Sequence, residues 1–197
     1  MSISERVRVR ETIVLSDNWY VLKKTRFSFR LSDGSWQEQT RETYDRGNGA
    51  VILLYDPKRR TIVLVKQFRY PAFVNGYDKL LIEAPAGLLD DRDPPDAIRA
   101  EVSEETGFEI SNPRLVFEAF MSPGSVTEKL FFFIAEYAPG DRKAAGGGKL
   151  EEGEDIEVME ISIDHALDMM ARGEICDGKT IMLVQYAALH LFRDHLP

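Results

Sequence analysis

Apolar and polar residues alternate through three stretches near the start of the chain, residues 6–15, 19–31 and 36–44, each rich in Val, Thr, Phe, Trp or Tyr. A period of two predicts strands, and Ser32-Asp33-Gly34-Ser35 predicts the turn between the last two. Arginines and lysines stand among the apolar positions, so one face of this sheet is wet or meets a partner. Three strands with so thin an apolar face are marginal alone. They are expected to lean on the main domain or on a second copy of the chain.

From Gly47 onward the apolar signal strengthens. Residues 50–55 and 61–68 are nearly continuous Val, Ile and Leu around a charged turn at 56–60, which predicts a buried hairpin. Pro71, Asn75 and Gly76 mark 70–77 as a loop, and 80–84 is a short strand running into Pro85-Ala86-Gly87. A helix is predicted over 94–106, with two prolines in its first turn and Gly107 in the C-cap position. Strands follow at 115–120 and 126–137, joined through Ser122-Pro123-Gly124. The polar stretch 141–154, with Gly146-Gly147-Gly148 and a cluster of acids, is expected to be a mobile loop. Residues 156–161 alternate as a strand. Ile163, Ala166, Leu167 and Met170 recur at helical spacing, and Asp177 can cap a last, largely buried helix over 178–193. No repeats or heptads interrupt this order, which gives an α+β fold, an α/β/α sandwich rather than a regular βαβ wheel.

Length and charge narrow the function. The 197 residues suit one domain with a sizeable core and a small appendage. The net charge of −8, from 33 acids against 25 bases, argues against a nucleic-acid backbone as partner. An anionic substrate remains compatible if metal ions or a few arginines supply local positive charge. Cys176 is the one cysteine, so no internal disulfide forms. The opening residues lack the apolar run of a signal peptide, and no apolar run approaches the roughly 18 residues that span a bilayer. A cytoplasmic protein without membrane partners is expected.

The chemistry concentrates in GLLDDRDPPDAIRAEVSEETGF, residues 87–108. On a helix Glu101, Glu104 and Glu105 fall within a sector of roughly 100°, with Ile98 and Val102 along its edge as core anchors. The acids therefore sit at the core margin, where a cleft could open. Like charges three and four apart repel by a few tenths of a kcal/mol per pair, roughly. A hard divalent cation over the face, Mg²⁺ or Mn²⁺, explains the arrangement better than a merely solvated helix does once the surrounding pattern is considered. Glycine, a loop, an acid and then E-x-x-E-E-x-G resembles the signature of the Nudix hydrolases, usually GX5EX7REUXEEXGU with U aliphatic. Asp93 stands where that signature has Glu, and the gap after it is one residue shorter. Asp93 reads equally as an N-cap. Ala100 stands where Arg is usual, although Arg99 lies one step earlier, so the support of the glutamates is in question.

The resemblance extends beyond the signature. Tyr44-Asp45-Arg46-Gly47-Asn48-Gly49-Ala50, Gln67-Phe68-Arg69, Val74-Asn75-Gly76, Ser122-Pro123-Gly124 and Asp177-Gly178-Lys179-Thr180 follow in the order of the GDP-mannose-cleaving branch, which is close to the ADP-ribose branch. This implies a Nudix α/β/α sandwich over 47–197 and an N-terminal antiparallel β-strand domain over 1–46 that exchanges with a partner in a homodimer. It implies Mg²⁺-dependent cleavage of a nucleotide sugar, GDP-mannose to GMP and mannose 1-phosphate. The alternatives are ADP-ribose or a broader set of nucleoside diphosphate sugars, or a non-catalytic module that binds a nucleotide sugar. Glu101, Glu105 and the carbonyl of Ala86 would ligate the metal, joined by Glu154, with Glu104 behind them or at a second ion.

Glu128, Glu152 and Glu154 are the candidates for the base that takes a proton from water. Arg69 is a candidate for a phosphate or sugar contact, Lys179 sits near a helix N-terminus that favours anions, and Arg41 is a candidate from across the dimer. Trp19 or Tyr20 would stack on the base. Thr40 stands where this branch is expected to carry lysine, which loosens the sugar assignment. His165, His190 and His195 show no metal-ligand spacing, and Cys176 needs no role.

Overall fold

In the computed structural model, which describes residues 2–192, inter-residue contacts divide the chain into two units. The first comprises residues up to Asn48 together with Phe120–Lys129. Its sheet holds β1 (Val7–Asp17), β2 (Val21–Arg30) and β3 (Trp36–Asp45) in that order, paired antiparallel. The interleaved arginines have a structural use. Arg6 lies over the Phe29 ring at 4.7 Å and Arg8 over Trp36 at 4.0 Å, contacts that hold a thinly covered sheet together. β1 is an edge strand that leaves Val9, Ile13 and Val14 exposed. The Ser-Pro-Gly segment joins this unit through Tyr44, whose N–H donates to the Ser125 carbonyl at 2.8 Å and whose carbonyl accepts from Thr127 N–H at 3.1 Å.

The second unit is built on a mixed sheet. β4 (Gly49–Asp56) runs antiparallel to β5 (Thr61–Gln67). In the turn between them, Asp56 Oδ1 accepts from the N–H groups of Lys58 (2.9 Å) and Arg59 (3.1 Å). A short helix α1 (Tyr70–Val74) follows, then β6 (Leu81–Glu83) on β5 and β7 (Ala86–Leu88) on β4. After the acidic helix α2 (Pro94–Thr106) come β8 (Arg114–Phe120) and β9 (Lys129–Glu136), and β9 lies parallel to β4. β10 (Glu157–Ser162), α3 (Ile163–Ala171) and α4 (Gly178–His190) complete the order. Arg193 and His195 lie outside the described residues.

Both faces of the central strands are buried, which is why β4 and β5 read as continuous apolar runs. Ala50, Ile52 and Leu54 share a core cluster with Ala97, Ile98 and Val102 of α2. By strand alternation Val51 and Leu53 point the other way, and α4 contacts the sheet there with Leu183 and Val184 fully buried. The result is an α/β/α sandwich.

Two expectations change, and one short strand was not foreseen. Residues 70–74 form a turn and a half of helix, because Pro71 suits a first turn and Asn75 and Gly76 follow only at its end. β7 has only three residues and shows no periodicity. The stretch expected to be a mobile loop is fastened to the end of α2. Gly147 N–H donates to the Glu105 carbonyl at 2.9 Å, and Lys143 and Ala144 donate to the Gly107 carbonyl at 2.8 and 3.2 Å. The helix's free carbonyls thereby gain partners. Glycine is required at both edges of this joint. At Gly107 (φ +74) a Cβ would meet the Ala144 carbonyl oxygen at 2.1 Å, and at Gly146 (φ +72) it would meet the Glu105 carbonyl oxygen at 2.5 Å.

Candidate active site

Asp93 occupies the N-cap of α2 in backbone geometry, and its carbonyl accepts from Asp96 and Ala97, but its side chain makes no capping bond. Proline at the start and left-handed Gly107 at the end bracket the helix, and Ala97, Ile98 and Val102 fix its rotation. That rotation places Glu105 deeper than the core margin, at 3% exposure, with Glu101 and Glu104 partly buried beside it. β7 crosses the same spot. Ala86 N–H donates to Glu105 Oε2 at 3.3 Å. Gly87 lies so close to Glu101 that a Cβ there would stand 2.2 Å from its carboxyl carbon. Because the clash falls on the end of a flexible side chain, Gly87→Ala should leave the fold and melting temperature nearly unchanged. It should lower turnover by roughly 10²-fold through misplacement of Glu101, and wild-type kcat in the variant would refute that placement.

The carboxylates share one field. Burial pushes the Glu105 carboxyl up to about 8, reinforced by Glu101 and Glu154 and opposed by Arg69 and the Ala86 N–H. Burial also raises Glu101, with Glu104 and Glu154 adding to the effect and Arg92 opposing it. The support that Ala100 cannot provide comes from elsewhere: Arg92 Nη2 donates to Glu101 Oε1 at 3.3 Å, and Lys149 Nζ lies 2.8 Å from Glu104 Oε2. Arg99 turns to Asp96 and the Ser111 carbonyl instead. Among the described residues no three acid, histidine or cysteine side chains already converge on one point. The donors nevertheless fit a hard divalent cation in kind and charge: oxygen atoms only, on acids whose mutual repulsion a cation would relieve.

The base candidates separate. Glu154 lies within the field of Glu101 and Glu105, with its Oε2 accepting from Lys149 N–H at 3.1 Å. Glu152 stands on a short turn, mostly exposed, 3.4 Å from Lys149 Nζ. Glu128 belongs to the first unit and pairs with Arg46 at 3.4 Å. Also in that unit, Trp19 is 82% exposed and edge-on to Tyr20, while Arg41 donates to the Thr40 carbonyl and Gln39 Oε1. Arg69 and Lys179 meet on a residue that sequence reasoning missed, Glu83, which is 2% exposed. Its signal was a lone acid inside an otherwise apolar strand. Arg92 and Lys149 were missed as well, having no motif of their own. Cys176 is exposed beside Tyr77. The N–H of His165 caps on Ser162, and His190 lies against the Tyr186 ring at 4.5 Å. His195 falls outside the described residues.

Comparison with known proteins gives two family matches. Residues 6–44 match a family described as the GDP-mannose pyrophosphatase NudK N-terminal domain, and residues 45–175 match the NUDIX domain. The chain is similar to a protein of Klebsiella pneumoniae named GDP-mannose pyrophosphatase, 49% identical over 93% of this chain and 92% of that one. Proteins of the same name from Pectobacterium atrosepticum (48%; 95% and 96% covered) and Escherichia coli K12 (47%; 93% and 96%) are also similar. A solved structure titled an ADP compounds hydrolase superposes with a TM-score of 0.71 over 95% of this chain and 97% of that one. At 13% identity that likeness concerns the fold alone.

Proposed function

The chain belongs to the Nudix hydrolase family, and from that premise we propose that it hydrolyses GDP-mannose to GMP and mannose 1-phosphate with the help of Mg²⁺. The observation that carries this reading is the buried Glu105 beside Glu101 under Ala86, in a chain that resembles GDP-mannose pyrophosphatases over 93–95% of its length. Glu101, Glu105 and the Ala86 carbonyl would hold the cation, with Glu104 next to them. When bound, it polarises a phosphoryl oxygen and lowers the pKa of a water.

The protein's own groups supply the rest. Arg69 uses Nε for Glu83, which leaves its two Nη groups for a phosphate oxygen. Lys179, near the N-terminus of α4, adds a second positive charge. Glu154 accepts the water's proton. It reaches the site from a segment whose glycines are anchored to α2, so its backbone start is set before substrate arrives.

Phosphate release from a nucleotide-sugar panel tests the reading, with a phosphatase coupled to the sugar-phosphate product. Mg²⁺-dependent turnover of GDP-mannose above ADP-ribose is expected, lost in chelator. Preference for ADP-ribose would move the specificity, and tight binding without turnover would make the protein a nucleotide-sugar sensor.

The apolar residues exposed along edge strand β1 fit burial against a second copy. A homodimer is therefore expected by light scattering, with Arg41 serving the neighbouring site. A monomer at micromolar concentration would remove both.

A further inference from the structure

Four charged side chains outside the proposed metal ligands meet at the end of β6. Glu83 Oε2 accepts from Arg69 Nε at 2.8 Å, and Oε1 accepts from Lys179 Nζ. Lys179 Nζ also lies 3.0 Å from Asp177 Oδ1. Asp177 caps α4, with Oδ2 accepting from the N–H (3.0 Å) and hydroxyl (2.6 Å) of Thr180. The same hydroxyl oxygen accepts from Ala84 N–H at 2.7 Å. Pro85 then accepts from Ile52 N–H at 3.0 Å, and Ala86 donates to Glu105. Residues 83–86 are thus each fixed by a partner distant in sequence, Glu83 and Ala84 by the first turn of α4, Pro85 by β4 and Ala86 by α2.

Two acids and two bases leave this group neutral, so it has no need of an anion for its own stability. A buried carboxylate inside an apolar strand is nevertheless an expensive way to tie that strand to a helix, since an apolar contact of similar volume would do so as well. What the carboxylate adds is direction. Its two oxygens lie a fixed distance apart, and each holds one cation.

We propose that Glu83 is a positioning residue for the diphosphate: its two oxygens aim Arg69 and Lys179 at a single anion. This rests on the reading of Arg69 and Lys179 as substrate contacts. A residue that merely packs would affect stability equally whether or not those cations are present, whereas a positioning residue acts only through them.

The test is a mutant cycle read in two ways. Glu83→Asp keeps the buried charge and withdraws it by one methylene group. It should lower kcat/KM for GDP-mannose by roughly 10²-fold and weaken calorimetric binding of GDP, used as a diphosphate probe. In a chain already carrying Arg69→Ala, the same replacement should cost about tenfold or less, because one of its two cations is gone. Equal losses in both backgrounds, or unchanged kinetics and GDP binding in Glu83→Asp itself, overturn the proposal. Glu83→Gln, close in shape and uncharged, runs through the same cycle in case the shorter acid fails to fold. GDP binding that depends on Glu83, in a protein that leaves GDP-mannose intact, keeps this inference and removes the substrate reading.

Discussion

Replacing Glu101 and Glu105 together by glutamine should lower turnover of GDP-mannose by at least about 10³-fold while the chain still folds. Glutamine preserves the shape of both side chains. Ala97, Ile98 and Val102, which fix α2 against the sheet, are untouched. What disappears is the negative charge on the face proposed to hold a divalent cation. The loss should fall on kcat and resist excess Mg²⁺, because the donors themselves have changed. Circular dichroism and a thermal melt establish the fold, and saturating kinetics establish the loss. Substantial activity in the double variant would place the metal elsewhere.

Glu105→Gln alone should change how stability depends on pH. The Glu105 carboxyl titrates at about 8 in the folded chain against an ordinary value of 4.5. Between those two values the folded state holds a proton that the unfolded chain has released, so the contribution of this group to stability is full below 4.5 and falls as pH rises toward 8. Each unit of that displacement corresponds to about 1.4 kcal/mol, so in chelator the wild type should lose a few kcal/mol across the window. The variant has nothing to titrate at this position and should show a flatter profile and a higher melting temperature at pH 8. Added Mg²⁺ should raise the melting temperature of the wild type there much more than that of the variant. Parallel profiles for the two proteins would refute the buried, charge-crowded placement of Glu105.

Helix α2 was legible to the residue because its signals are local: two prolines in its first turn, glycine after it, and Ile98 and Val102 at helical spacing between them. Most strands of both units were legible for the same reason, since alternation and apolar runs are written along the chain, whereas the three residues of β7 carry no such signal. The site was legible only in part. The acids of α2 share one helix face, and that sharing follows from helix geometry alone. Glu83 with Lys179 is a contact between residues 96 apart, and nothing near either one announces the other. Arg92 takes over support of Glu101 from a loop within the motif itself, where a fixed pattern leaves the residue type open. The triple glycine misled for a physical reason. Composition reports conformational freedom, but whether that freedom is used to stay loose or to bring two backbones into contact depends on what lies opposite.

That joint between Gly107 and the 143–148 segment is made almost wholly of main-chain groups. Its side chains are therefore open to drift. Lys143, Ala144 and Ala145 enter the joint through main-chain groups and can be exchanged for most other residues, provided that the glycines and the number of residues between them persist. The Arg142 guanidinium, by contrast, donates to the Ala145 carbonyl at 2.7 Å. Two descendants could differ at every other position of the segment and still carry Glu154 to the same place. Insertions are a different matter, because one extra residue would shift every amide past its carbonyl. Length is inherited here more strictly than identity.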